Sequence, residues 1–243
     1  MSIKNYIPNT ITCLNLFSGC MACVSAFNNH FDAALAFIIL SAVFDFFDGM
    51  AARLLHVSSP IGKELDSLAD DISFGMAPAS MVFAYLLNTM HNNPLTENEF
   101  LLHAIPYTAF LIAVFSGLRL AKFNIDTRQT YSFIGLPVPA NALFWASLIY
   151  SLDSCFLSNS TSLILFLLAV LAFSLLLVSN LPMFSFKFKN LSWKDNKIKF
   201  LFLPIVIALL CIFGILGIAF SVLLYILTSV ALALFAPAEK KAN

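Results

Sequence analysis

Long apolar runs broken by short polar clusters define the chain. Reading the runs at helical length predicts spans at about 11–27, 31–54, 66–89, 102–122, 137–153, 162–183, 200–216 and 218–236. The breaks carry turn residues or polar groups: Asn28-Asn29-His30, Ser58-Ser59-Pro60, Asn92-Asn93-Pro94, Asn124 to Gly135, Ser158 to Thr161 and Asn190 to Asn196. The break at Gly214 to Gly217 fits either two helices or one kinked segment. The runs are continuous rather than alternating, so helices rather than a barrel are expected. The expectation is an all-α polytopic membrane protein with about eight transmembrane helices, in one domain spanning residues 1–243, without internal repeats.

Composition agrees. Of 243 residues, 60% are hydrophobic and 11% charged; a soluble domain carries about a quarter charged residues. The formal net charge is zero, which gives no electrostatic basis for a nucleic-acid partner. The basic residues orient the chain. With the N-terminus inside, all 13 Lys and Arg, from Lys4 through Arg53, Lys63, Arg119, Lys122 and Arg128 to Lys187–Lys199, Lys240 and Lys241, fall on the cytoplasmic side. The outer loops then carry Asp32, Glu97, Glu99 and Asp153 and no base. An even number of crossings follows, with both termini cytoplasmic. Cys20 and Cys23 have redox-motif spacing but sit in an apolar helix, so helix packing is the better account of them.

The chemistry is concentrated between Asp45 and Asp70. Asp45 and Asp48 are three residues apart, and Asp66 and Asp70 are four apart, so each pair shares a helix face. The short connection predicts antiparallel neighbouring helices whose acidic faces meet near the cytoplasmic surface. One acid at the centre of a membrane helix costs about 2.5–3.5 kcal/mol on insertion scales. Four without matching bases call for a cation. Oxygen ligands with no His or Cys nearby favour Mg²⁺, Mn²⁺ or Ca²⁺, and four carboxylates have room for two ions. Gly49 lets a ligand approach the backbone, Ala52 is small, and Arg53 offers a fork for phosphate. The combination describes a diphosphate site rather than a bare ion site.

The pattern Asp45-x2-Asp48-Gly49-x2-Ala52-Arg53-x8-Gly62-x3-Asp66-x3-Asp70 resembles the signature of the CDP-alcohol phosphatidyltransferases, with every position filled. Ile7-Pro-Asn9-Thr-Ile-Thr12 with Asn15-Leu16, Glu64 to Asp70 running into Ser73-Phe-Gly-Met-Ala-Pro78-Ala, Arg119 to Asn124, and Gly135 to Pro139 resemble the integral-membrane branch that makes phosphatidylserine. The likeness covers about the first 145 residues. It implies Mg²⁺- or Mn²⁺-dependent transfer of a phosphatidyl group from CDP-diacylglycerol to L-serine, releasing CMP. Asp45, Asp48 and Asp66 would be the main metal ligands, and Asp70 would be shared between metal and general-base roles. Gly49, Ala52, Arg53, Ser59 and Gly62 would hold the nucleotide part, with Asn9 and Thr12 approaching it from the first helix. A homodimer in a bacterial inner membrane, with the site facing the cytoplasm, is also implied.

Other residues divide between anchoring and function. Arg119 is balanced between positive-inside anchoring and binding a phosphate or the serine carboxylate; Lys122 leans to anchoring. Asn15 reads mainly as a helix–helix contact, and Ser18, Ala22 and Ala26 as a close-packing stripe. Asp71 lies about 140° from the Asp66 direction and reads as a polar helix-face residue. Competing functions are a same-family transferase using glycerol 3-phosphate or inositol phosphate, a divalent-cation transporter, and a non-catalytic lipid-binding protein.

Overall fold

The computed structural model describes residues 6–92, 98–125, 133–152, 156–157, 159–183 and 193–235. Lys4, Glu97, Arg128, Asp153, Lys187, Lys189, Lys240 and Lys241, used above for orientation, lie outside the described residues, as do the side chains of Lys194, Lys197 and Lys199.

Helix α1 spans Tyr6–Phe27 and α2 spans Phe31–Leu54. Asn29 takes a left-handed conformation (φ 62°) between them, a geometry Asn tolerates better than most residues. Helix α3 (Pro60–Asp70) runs without a break through a π-helical turn (Asp71–Met76) into α4 (Ala77–Asn92). The third membrane helix therefore begins at Pro60, earlier than the apolar pattern indicates. Its start is fixed by Ser59, whose side chain accepts a hydrogen bond from the Gly62 N–H at 3.0 Å, and by Pro60 in the first turn. Helix α5 (Glu99–Ala104), a 3₁₀ turn (Ile105–Phe110) and α6 (Leu111–Ile125) form the next crossing. Pro106, which lacks an N–H, lies in the tightened section.

Helices α7 (Val138–Ser151) and α8 (Ser160–Val178) follow. The sixth run does not continue helically to 183. Ser179 turns extended at the helix end, three residues ahead of Pro182, which cannot continue the helix. Strand β2 (Pro182–Met183) then pairs antiparallel with β1 (Phe133–Ile134), a small departure from an all-α fold. Gly135, at φ 78°, closes this junction by donating its N–H to Leu181 O at 2.9 Å. Helices α9 (Trp193–Phe213) and α10 (Leu216–Phe235) are separated by a turn at Gly214 (φ 58°), so the last apolar stretch is two helices rather than one kinked segment.

Six helices among the described residues are long and apolar enough to cross a membrane. Phe200–Phe213 and α7 are apolar but shorter. The protein is an integral membrane protein: large apolar side chains such as Phe17, Val114, Leu165, Leu203 and Leu227 are exposed along the helices, as lipid-facing positions are. The interior is close-packed. The Phe144 and Phe173 rings stack at 4.0 Å, and fully buried Trp145 meets Phe173 edge-on. Buried Ser18, Gly19, Ala22 and Ala26 let α1 lie close against its neighbours, as their small size predicts.

The acidic helices are arranged differently from the simple antiparallel pair. Helix α1 packs along α2 and against α3, while direct backbone approach between α2 and α3 is sparse. The gap between those two helices is bridged by side chains, with α1 as the common support.

Candidate active site

Asp45 and Asp48 come from the last turns of α2, and Asp66 comes from α3. One carboxylate oxygen from each lies within 4.8 Å of those of the other two. Asp48 is buried, and Asp45 and Asp66 are half-buried. Thr12 of α1 places its hydroxyl 2.7 Å from Asp48 Oδ2, so it is oriented to donate to that carboxylate. Three convergent hard-oxygen donors on a rigid helical frame are a donor set that fits a divalent cation.

Asp70 stands beside this trio rather than within it. It interacts electrostatically with Asp45, Asp48 and Asp66, and Asn15 Nδ2 is 3.4 Å from its Oδ1. Asn15 is thus more than a helix contact. Its backbone carbonyl accepts from Ser41 at 3.2 Å and Ser73 at 3.0 Å, which locks α1 to α2 and to the π-helical turn. Its side chain meanwhile reaches Asp70.

A cavity of about 280 Å³ opens beside Asp48 and Asp66. Asn9 and Thr12 of α1, Gly49 and Ala52 of α2, and Ser59 and Gly62 at the start of α3 contribute to its wall. A Cβ at Gly49 would meet nothing within 4 Å, so the backbone there is open to a ligand. A Cβ at Gly62 would stand 2.9 Å from Asn9 Oδ1 and 3.0 Å from Ser59 Oγ, so this glycine permits both polar groups to crowd the entrance to α3. Arg53 is exposed at the end of α2 and does not line the cavity. The basic side chain on the wall is Lys63, which also donates to Asn124 O at 3.2 Å. Its only sequence signal is its place inside the motif, between Gly62 and Asp66.

Arg119 of α6 is 8% exposed. Its guanidinium lies 5.4 Å from the Phe123 ring centroid and interacts electrostatically with Asp70 and with Tyr225 of α10. Lys122 turns elsewhere. Its ammonium donates to Val178 O at 3.1 Å, at the C-terminal end of α8, where a cation is favoured. Tyr225 lies in a run with no chemical pattern in the sequence, so only the folded chain brings it near Arg119.

The sequence matches the profile of the CDP-alcohol phosphatidyltransferase family over residues 5–178. The chain belongs to that family. The region matched by this phosphatidyltransferase profile holds the trio, Asp70, the cavity and Arg119; α9 and α10 lie beyond it. A CDP-diacylglycerol–serine O-phosphatidyltransferase of Bacillus subtilis is 37% identical over 139 residues, 56% of this chain and 70% of that protein. The enzyme of the same description from Helicobacter pylori is 34% identical over 184 residues, 74% of this chain and 72% of its own length. That of Methanocaldococcus jannaschii is 33% identical over 164 residues, covering 68% and 70%.

Proposed function

We propose that this phosphatidyltransferase transfers the phosphatidyl group of CDP-diacylglycerol to the hydroxyl of L-serine and releases CMP. The observation that carries the reading is the Asp45–Asp48–Asp66 trio, opening on a cavity with Asp70 alongside. The similarity to serine-using relatives supports the acceptor.

Asp45, Asp48 and Asp66 would hold the divalent cation, Mg²⁺ or Mn²⁺ or, as a substitute, Ca²⁺, and Asp70 would contribute to a second ion where two bind. When bound, such a cation neutralises the diphosphate and the charge that gathers on the phosphoryl oxygens. Thr12 keeps Asp48 in its ligating orientation. Asn9, Gly49, Ala52, Ser59, Gly62 and Lys63 receive the nucleotide end, with Arg53 at the rim, while the acyl chains stay in the bilayer. Asp70, held by Asn15, accepts the serine hydroxyl proton as the serine oxygen bonds to phosphorus. The bond from phosphorus to the CMP oxygen breaks, and CMP leaves. General-base help of this kind contributes about 10²–10⁴-fold.

The Arg119 guanidinium supports serine over a phosphorylated alcohol. With Lys122 bonded to Val178 O, Arg119 is the buried cation near Asp70 among the described residues, and one guanidinium matches one carboxylate better than a phosphate dianion. Acids gathered at one end of the helices support catalysis over ion transport. The same reading includes one domain of about eight crossings, cytoplasmic termini and active site, a bacterial inner membrane, and a homodimer.

The test is CMP release by purified protein given CDP-diacylglycerol and Mg²⁺ or Mn²⁺ with each alcohol in turn. Serine-dependent release supports the proposal. Release only with glycerol 3-phosphate or inositol phosphate transfers it to another acceptor, and metal flux without CMP would make the protein a transporter.

A further inference from the structure

Lys63, Ser67 and Asn124 close a ring of hydrogen bonds between α3 and α6. The Lys63 ammonium donates to Asn124 O at 3.2 Å, the Asn124 side-chain amide donates to Ser67 Oγ at 2.8 Å, and the Ser67 hydroxyl donates to Lys63 O at 3.3 Å. Direct backbone approach between α3 and α6 is otherwise sparse among the described residues. The ring therefore ties the start of α3 to the end of α6.

Part of this ring is ordinary helix chemistry. Asn124 stands in the last turn of α6, where carbonyls have no partner within the helix and a cation is favoured. Lys122 does the same for Val178 O of α8. The two lysines differ in place. Lys122 lines no part of the cavity described above, whereas Lys63 stands on its wall with Asp48 and Asp66. A cap also needs only an ammonium and a carbonyl. Here the capped residue reaches back, through its own side chain, to the helix that sends the lysine.

Spacing on α3 sets the ring beside the acids. Lys63 is three residues from Asp66 and four from Ser67, so the three share one helix face. An ammonium carries three N–H groups. Asn124 O engages one of them, which leaves N–H groups for an anion on the same wall. A lysine is otherwise a flexible four-carbon stem with many rotamers to lose on binding. The ring removes part of that freedom beforehand, because Asn124 fixes the ammonium while Ser67 fixes the carbonyl of the same lysine.

We propose that Asn124 and Ser67 are positioning residues for Lys63, holding its ammonium at the cavity for a phosphate group of the bound nucleotide. The inference rests on the phosphatidyl-transfer reading. Lys63 is the residue that touches the substrate, and Asn124 and Ser67 act through it. A hydrogen bond from a cation to a phosphate oxygen is roughly twice as strong as one between neutral groups, so small errors in placing this ammonium are costly. Helix α6 then serves both substrates: Asn124 supports the donor site through Lys63, and Arg119, one turn earlier, meets the acceptor.

The test measures CDP binding in the presence of Mn²⁺ by calorimetry, alongside CMP release, with the purified full chain. Lys63→Met keeps the stem and removes the charge. It should weaken CDP binding and raise the KM for CDP-diacylglycerol by about tenfold or more. Asn124→Ala and Ser67→Ala should each cause about a two- to tenfold loss in the same quantities, with the serine KM near wild type. Ser67→Thr keeps the hydroxyl and should retain wild-type values. Added to Lys63→Met, Asn124→Ala should change CDP binding by less than about twofold, because residues of one network are not additive. Full additivity in the double variant, or a serine KM that rises as much as that for CDP-diacylglycerol in Asn124→Ala, overturns the proposal and leaves the ring a tie between helices. Unchanged CDP binding in Lys63→Met overturns it as well. If Asn124→Ala does not fold, Ser67→Ala and Ser67→Thr carry the same comparison in both backgrounds. A wild type that does not bind CDP removes the transfer reading and this inference with it. A wild type that binds CDP and releases CMP, with variants that bind equally well, removes only the inference.

Discussion

The Thr12 hydroxyl lies 2.7 Å from Asp48 Oδ2, joining α1 to the acidic end of α2 across 36 residues of sequence. Thr12→Val keeps the shape and removes the donor. A hydrogen bond to a charged group contributes about 1.5–3 kcal/mol. The variant should need roughly tenfold or more Mg²⁺ or Mn²⁺ for half-maximal CMP release, while its serine KM stays near wild type. A metal titration of the two proteins checks this.

Asp70→Asn retains the size of the side chain and loses the base. The rate should fall by about 10²–10⁴-fold. Metal binding, followed by Mn²⁺ paramagnetic resonance, should persist, because the trio is formed without Asp70. Loss of Mn²⁺ binding in this variant would instead assign Asp70 to the metal.

Chelation should abolish CMP release, and Mg²⁺ or Mn²⁺ should restore it. Asp66→Asn should resist restoration at any accessible metal concentration, because α3 contributes no other carboxylate to the trio. Metal-independent activity in the chelated wild type would contradict the trio's role.

At Gly62 a Cβ would press on Asn9 Oδ1 at 2.9 Å and Ser59 Oγ at 3.0 Å. Gly62→Val should raise the KM for CDP-diacylglycerol well above that for serine, since the added bulk enters the cavity wall and not the Arg119 side. Steady-state kinetics with each substrate varied in turn separates the two effects.

The position of α2 was legible to the residue, and the acidic motif was legible as a unit, because helix periodicity and membrane energetics act on local sequence. The start of α3 was less so. Lys63 and Glu64 interrupt the apolar run, and the helix is begun by the Ser59 cap and Pro60 rather than by hydrophobicity. The π-helical turn that opens at Asp71, and the approach of that side chain to Gly117 of α6, are features that no local pattern encodes. Tyr225 was invisible for a similar reason, as its proximity to Arg119 depends on how α10 docks on α7 and β2. Asn15 was seen as polar glue, and its reach to Asp70 depends on α1 supporting both acidic helices.

That shared support has a consequence for biogenesis. Chains emerge from the ribosome N-terminus first, and early segments settle before later ones. The first three membrane helices alone supply the trio, Asp70, Asn15 and the whole cavity wall. A nascent chain halted before α6 would already present its acids and nucleotide cradle, yet it would lack Arg119. Cation capture would precede acceptor capture during synthesis, and a truncated insertion product would bind Mn²⁺ without turning over.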